Sequence, residues 1–227
     1  MTSKSMFDDA EVLRCEAEDL CCLLQATGLS FVVAGGGARD TALGVMPKDF
    51  DIVVFGWGNN TEQVAMRLDS LDGLLSDYAN EQGMAYTYLP SYHDAAEGGD
   101  FGSRLFGVYK IGRLDVIISR CGTWSQVLAE FDFNLNQFYF PSSIPRYSGQ
   151  YSRDPKDYMA YPYNPTLSAE DVQWYPALSH PLSTYAELLS LKTVRADASS
   201  GRTAYIQAKH KQLLPAIAKY VSSKTGV

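Results

Sequence analysis

The stretch FVVAGGGARDTALGVMPKDFDIVVFG, residues 31–56, decides the fold of this chain. FVVA is a run of apolar, mostly β-branched or aromatic residues, which favours a short buried strand. Three glycines follow it, and ARDTALG then predicts a short helix that ends at Gly44. DFDIVVF predicts a second strand. The whole stretch is therefore predicted to form a strand–turn–helix–strand unit.

Asp49 and Asp51 lie two residues apart at the start of the second predicted strand. Side chains two apart on a strand share a face, so both carboxylates should point one way while Phe50 and Ile52 point to a core. Adjacent carboxylates are costly unless a cation or water screens them, and Mg²⁺ is a hard ion that binds carboxylate and phosphate oxygens. The pair predicts a metal site, and two solvated surface acids are the alternative.

The predicted strand, glycine turn and helix ahead of these acids follow one another in the order typical of a phosphate-binding site. Glycines let the backbone approach an anion closely, and the N–H groups at the start of the helix face it. Taken alone, GGG also fits an ordinary tight turn. Its position in one unit with the two aspartates favours phosphate and metal binding together.

These residues resemble the tRNA nucleotidyltransferase (CCA-adding) and bacterial poly(A) polymerase family of the DNA polymerase β-like nucleotidyltransferase superfamily. The family pattern GGxxRDxxxGxxxxDxD is met without a gap by Gly35, Gly36, Arg39, Asp40, Gly44, Asp49 and Asp51. The resemblance implies that the nucleotide triphosphate is held by Gly35 and Gly36, with Arg39 and Asp40 in the same nucleotide-binding turn. It also implies that Asp49 and Asp51 hold two catalytic Mg²⁺ ions, for which Mn²⁺ can substitute.

The superfamily uses a third carboxylate on a neighbouring strand, and GRLDVIISR, residues 112–120, offers one. Alternation places apolar residues on one face of this predicted strand and Asp115 on the other, so Asp115 is expected to join Asp49 and Asp51 as a catalytic metal ligand. The alternative is an ordinary acid at a strand edge. Arg120 resembles an arginine that the family keeps after this strand, which implies a place in the nucleotide site.

AEFDFNLNQFYF, residues 129–140, is similar to the family element RDFTINALAY, which lies near the base and ribose of the nucleotide. Asp132 and Asn136 match and are predicted to bind nucleotide, whereas Phe131 stands where the family has arginine. Four residues are two strand periods and nearly one helical turn, so Asp132 and Asn136 share a side in either structure. An amphipathic strand with a polar outer face is the alternative.

The wider pattern predicts a mixed α/β sheet with flanking helices, of the polymerase β-like nucleotidyltransferase kind. Helices are predicted at about 8–27 and 61–80, a strand at 85–89, a hairpin at 104–119 and a short helix after Thr123. The predicted domains are a catalytic domain at 1–140, a Pro/Tyr-rich connecting segment at 141–178 and a basic helical C-terminal region at 179–227. The connecting segment either stacks on bases or packs its tyrosines on the core.

The net charge of −7 argues against broad nonspecific binding of nucleic acid. From residue 180 onward the charge is +5 and the remainder carries −12, so the C-terminal region either grips phosphates or is a solvated helix. Four cysteines and three histidines lack zinc-site spacing. No signal peptide or membrane-spanning run is evident, so we expect a cytoplasmic protein with no membrane partner.

The leading hypothesis is transfer of a nucleoside monophosphate from an NTP, most simply ATP or CTP, to an acceptor hydroxyl with release of pyrophosphate. An RNA 3′ end, with tRNA favoured, is the expected acceptor. Transfer to a protein or a small molecule, and nucleotide binding without catalysis, are the alternatives. The resemblance covers about residues 30–140, so we expect a minimal form without the family's long helical body; the acceptor, the base and the oligomeric state stay open.

Overall fold

The computed structural model describes residues 3–58, 60–90, 104–140, 160–162, 185–195 and 198–226. The described helices are α1 (Ser3–Ala26), α2 (Gly36–Ala42), α3 (Thr61–Glu81), α4 (Trp124–Ala129) and α5 (Ser200–Thr225), with short 3₁₀ turns at Asn134–Asn136 and Glu187–Leu189. The described strands are β1 (Ser30–Ala34), β2 (Phe50–Phe55), β3 (Tyr86–Pro90), β4 (Leu105–Ile111), β5 (Leu114–Ser119), β6 (Phe138–Tyr139) and β7 (Tyr161–Pro162).

These strands form one mixed sheet in the order β3-β4-β5-β2-β1-β6-β7. β2 lies near its centre, parallel to β5 and antiparallel to β1. Two parallel neighbours need a crossover connection, and α3 lies within the one that links β2 to β5. The predicted mixed sheet with flanking helices is therefore confirmed.

Alternation along the central strands gives the sheet two different faces. One face carries Phe50, Ile52 and Val54 of β2, which are buried in one cluster with residues of α1 and α3. The other face carries Val53 and Phe55, which are buried with Val127 and Leu128 of α4. Asp51 belongs to the α4 side by alternation, so α1 and α3 supply the supporting core behind it.

A second cluster joins α5 to the start of the chain's motif region. Ile206, Leu213 and Ile217 of α5 are buried with Ala38 of α2 and with Phe133. The helix predicted for the C-terminal region therefore packs on α2, beside the glycine turn. None of the described helices has both the length and the apolar character needed to cross a membrane.

Local signals in the sequence explain several element boundaries. Asn60 caps α3, since its side chain accepts a hydrogen bond from the Gln63 amide at 3.1 Å. Thr123 and Gln126 form a capping box at the start of α4. The segment around Asp132, predicted as strand or helix, instead forms a 3₁₀ turn.

Residues 91–103 and most of the Pro/Tyr-rich segment lie outside the described residues. Of that segment, residues 160–162 are described and buried, and Tyr161 pairs with Tyr139 at the edge of the sheet. Both interpretations of the Pro/Tyr-rich segment, and the domain boundaries, stay predictions.

Candidate active site

A row of paired residues crosses the sheet at the predicted metal site. Ala34 of β1 is the register partner of Asp51, and Asp51 is the register partner of Asp115. Lys110 of β4 pairs in turn with Asp115. Partners directly opposite each other on neighbouring strands share a face of the sheet. The structure therefore brings Asp51 and Asp115 together as the sequence predicted.

Asp49 precedes the first residue of β2 and is more exposed than Asp51. Its carboxylate lies 3.8 Å from Lys48 Nζ, and Lys48 is 92% exposed, so solvent weakens this ion pair. Asp49 is nevertheless close enough to Asp51 to affect its ionisation. The three predicted acids thus share one electrostatic environment at the start of β2 and β5.

Asp51 is the acid whose ionisation this environment changes most clearly. Burial, followed by the negative charges of Asp49 and Asp115, raises the pKa of Asp51 to about 7. The positive charges of Lys110 and Arg202 oppose this rise. A carboxylate held among like charges binds a proton, or another cation, more tightly than a solvated one does.

The glycine turn closes over Asp51. Gly35 has φ of 86°, and a Cβ built on it would lie 2.6 Å from Asp51 Oδ2. A Cβ on Gly37 would lie 2.4 Å from the Asp49 carbonyl oxygen. A Cβ on Gly36 would meet nothing closer than Arg39 Nη2 at 3.5 Å. Packing therefore explains the first and third glycines but leaves the second unexplained.

The acids suit a hard divalent cation in their chemistry. Asp49 and Asp51 offer carboxylate oxygens, and the burial and neighbouring negative charges that raise the pKa of Asp51 also favour a bound cation there. The Asp115 carboxylate is engaged by Lys110, whose Nζ lies 2.7 Å from Oδ2. Across the described ranges, no three His, Cys, Asp or Glu side chains are grouped so as to hold a metal ion.

The remaining motif residues form a buried polar chain. Arg39 donates from Nε to Asp40 Oδ1 at 2.7 Å and from Nη1 to Asn136 Oδ1 at 3.0 Å. Asn136 donates to Asp132 Oδ1 at 3.0 Å, and Arg202 of α5 donates to Asp132 Oδ2 at 2.6 Å. Arg39, Asp40 and Asn136 are each at most 5% exposed. This chain of contacts ties α2 to α5.

Arg120 is not brought to the acids. It follows β5 at the end opposite Asp115, and five residues of strand place the two Cα atoms roughly 16 Å apart. Its guanidinium lies 4.2 Å from the centre of the Phe106 ring, and its Nε donates to the Leu105 carbonyl. The predicted role of Arg120 in the nucleotide site stays a prediction.

Sequence reasoning missed Lys110, Gly37 and Arg202. A signal for Lys110 existed, because a two-residue hairpin loop at residues 112–113 fixes the pairing of 110 with 115. Gly37 could be found only from the close approach of α2 to the start of β2. The contact of Arg202 with Asp132 spans 70 residues of sequence, and no local pattern announces it.

Neither a family model nor a curated protein matches the chain. It is similar to a solved structure of a "tRNA-processing enzyme (apo form I)", with 23% identity over 57% of this chain and 29% of that one and a TM-score of 0.36. A second solved structure is "Structure of tRNA-processing enzyme complex 3", with 16% identity over 90% of this chain and 45% of that one and a TM-score of 0.40. A third is a tRNA nucleotidyltransferase complexed with a primer tRNA and an incoming ATP analog, with 18% identity over 74% of this chain and 43% of that one and a TM-score of 0.36.

The chain thus spans less than half the length of each of these solved structures. The third structure has the name of the enzyme group that the motif resembles.

Proposed function

We propose that this chain is a metal-dependent nucleotidyltransferase that moves a nucleoside monophosphate from an NTP to an acceptor hydroxyl. The supporting observation is the placement of Asp51 and Asp115 in register on adjacent parallel strands, with the Gly35 turn directly against Asp51. In the reaction the acceptor hydroxyl releases its proton to solvent as its oxygen bonds to the α-phosphorus, the bond from that phosphorus to the bridging oxygen breaks, and pyrophosphate leaves. ATP or CTP is the proposed donor.

Asp49, Asp51 and Asp115 are the residues that would hold the divalent cations, with Mg²⁺ expected and Mn²⁺ able to replace it. Such ions, when bound, activate the acceptor hydroxyl and neutralise charge on the leaving pyrophosphate. The chain's own part is to keep the Asp51 and Asp115 carboxylates in register on one face of the sheet, with Asp49 directly ahead of β2. Phe50 and Ile52, both at most 2% exposed, anchor this face from behind.

Gly36 is assigned to the triphosphate. Neither a positive φ nor a close protein contact accounts for glycine at this position, in contrast to Gly35 and Gly37. A bare backbone lets a phosphate oxygen approach the amide closely. Gly35 lies in the same turn, and its lack of a side chain leaves room for the Asp51 carboxylate.

Arg39, Asp40, Asp132 and Asn136 are assigned to positioning. Their side chains are already bonded to one another and to Arg202, and burial keeps them from open solvent. A satisfied buried network of this kind fixes the geometry of the elements that it joins. These four residues would therefore hold the glycine turn at a fixed distance from α5 and, through it, hold the triphosphate in place.

An RNA 3′ end, with tRNA favoured, is the acceptor we propose. α5 carries five basic residues and no acidic one, and it packs beside the glycine turn. Exposed basic side chains on a helix suit the phosphates of a nucleic acid. The four cysteines are free thiols, which supports a reducing, cytoplasmic setting.

A labelling experiment tests this function. The protein is incubated with Mg²⁺ and each α-labelled NTP, together with tRNA, a protein extract or a metabolite extract. We expect label on the RNA with the wild-type chain and none with Asp51→Asn. Asp77→Asn is the matched control, since it removes an equal charge from an exposed position on α3.

The pattern of label decides among the alternatives. Label on protein or on a small molecule would keep the chemistry and replace the acceptor. Nucleotide binding without any labelled product, in a folded wild-type chain, would contradict the enzyme and favour a nucleotide-binding protein.

A further inference from the structure

A lysine continues the acid row across the sheet. Lys110 on β4 is the register partner of Asp115, which is the register partner of Asp51 on the other side. The Lys110 Nζ lies 2.7 Å from Asp115 Oδ2. Backbone pairing of β4 with β5 sets this contact, because directly opposed residues have Cβ atoms about 5 Å apart on one face. The hairpin of β4 and β5 therefore places Lys110 beside Asp115.

The ion pair between Lys110 and Asp115 is partly shielded from solvent. The side chains of Lys110 and Asp115 are 44% and 20% exposed, whereas Lys48 beside Asp49 is 92% exposed. Partly buried charges are screened less by salt and water than exposed ones. The ammonium of Lys110 lies beside Asp115 on the strand away from Asp51, and its positive charge partly offsets the negative charge of the two carboxylates.

We propose that Lys110 is a resident counter-ion that competes with the divalent cation for Asp115 and so lowers the affinity of the site for metal. The inference rests on the proposed function, because it takes Asp49, Asp51 and Asp115 as the metal ligands. A metal ion can use Asp115 fully only when Lys110 releases Oδ2 or shares the carboxylate with it. Either arrangement costs binding free energy.

The size of the effect follows from charge and distance. Even with the screening of bulk water, a unit charge and a doubly charged ion about 5 Å apart repel enough to change an affinity by roughly tenfold. Losing the pair with Asp115 acts in the same direction. Removing the ammonium should therefore tighten metal binding by about tenfold, and retaining a cation at the position should not.

Binding of Mn²⁺ alone, followed by the electron paramagnetic resonance signal of the free ion, tests the proposal without substrate or turnover. Lys110→Met removes the charge, and Lys110→Arg keeps it. Lys219→Met is the matched control, because Lys219 is an exposed lysine on α5 and the change in net charge is the same. Circular dichroism verifies that each variant is folded.

We expect Lys110→Met to bind Mn²⁺ about tenfold more tightly than the wild-type chain, with Lys110→Arg within about twofold and Lys219→Met unchanged. Equal affinities for Lys110→Met and Lys219→Met would overturn the proposal. Weaker binding by Lys110→Met would also overturn it, since Lys110 would then be holding Asp115 in a pose that favours the metal.

Asp51→Asn separates this inference from the proposed function. If the wild-type chain binds Mn²⁺ and Asp51→Asn does not, the metal site stands and Lys110→Met alone decides the role of the lysine. If neither the wild-type chain nor Lys110→Met binds Mn²⁺, both the metal site and the competition at Asp115 are contradicted.

Discussion

Replacing Asp51 with asparagine should stabilise the metal-free fold at alkaline pH even though it removes the proposed activity. Burial and the charges of Asp49 and Asp115 raise the pKa of Asp51 from 3.8 to about 7. In the unfolded chain the same carboxyl is solvated and titrates near its ordinary value. The folded state therefore binds this proton more tightly than the unfolded state does.

The sign of the pH dependence follows from that difference in proton affinity. The stability that the Asp51 proton contributes is complete below pH 3.8 and is lost as the pH rises through about 7. A shift from 3.8 to about 7 corresponds to at most about 4 kcal/mol. Partial solvent access and coupling to the neighbouring acids reduce this, so we expect Asp51→Asn to gain about 1–3 kcal/mol at alkaline pH.

Urea unfolding in the presence of a chelator measures this gain. With a slope of about 2 kcal/mol/M, the midpoint of Asp51→Asn should rise by about 0.5–1.5 M at about pH 8. Most of the gain should be absent at about pH 4, where the wild-type Asp51 is protonated in the folded state. Added Mg²⁺ should stabilise the wild-type chain more than the variant, because a ligand stabilises the state that binds it.

Asp77→Asn is again the control, since it changes the net charge equally at an exposed position. A midpoint for Asp51→Asn no higher than that of Asp77→Asn at alkaline pH would refute the reasoning. So would a gain that is equally large in acid, because it would not come from the ionisation of Asp51.

Two further predictions use matched pairs of variants. Gly35→Ala and Gly44→Ala both place alanine at a positive φ and should each cost about 1 kcal/mol or more of unfolding free energy, but only Gly35→Ala should lose transfer activity. The reason is that a Cβ at Gly35 would lie 2.6 Å from Asp51 Oδ2, whereas a Cβ at Gly44 would have nothing within 4 Å. Equal transfer activities of the two variants would count against the packing of the turn on Asp51. Arg39→Met should lower the unfolding free energy by about 3 kcal/mol, because it leaves the buried partners of Arg39 unpaired. Lys209→Met should cost less than about 1 kcal/mol, since Lys209 Nζ lies 3.7 Å from Asp40 Oδ2. Equal losses of free energy in urea unfolding would show that the buried polar chain does not brace α2.

Local patterns were sufficient to predict the centre of the sheet. The alternation of Phe50, Asp51 and Ile52 predicts which side chain is buried in the core and which lies on the other face, and the burial of Phe50 and Ile52 agrees. Asp115 was expected on a strand beside Asp51 because the family that the motif resembles uses a third carboxylate on a neighbouring strand; alternation indicated only that Asp115 faces away from the apolar side. The register of β2 with β5 confirms that prediction.

Contacts between distant segments could not be predicted in the same way. Asp132 and Asn136 were expected to lie on one side of their segment, and a hydrogen bond joins them, but the pairing of Asp132 with Arg202 depends on how α5 packs against α2. Arg120 was assigned to the nucleotide site by resemblance alone. It lies at the end of β5 away from Asp115.

The most direct test of the Asp51–Asp115 pair as a reaction centre is the rate of label transfer by Asp51→Asn, Asp115→Asn and the double variant. Each single change should reduce the rate by about a thousandfold or more, and the double variant should be little worse than either, because residues that act as one unit lose their effect together. A folded single variant that retains transfer near the wild-type rate would contradict the account.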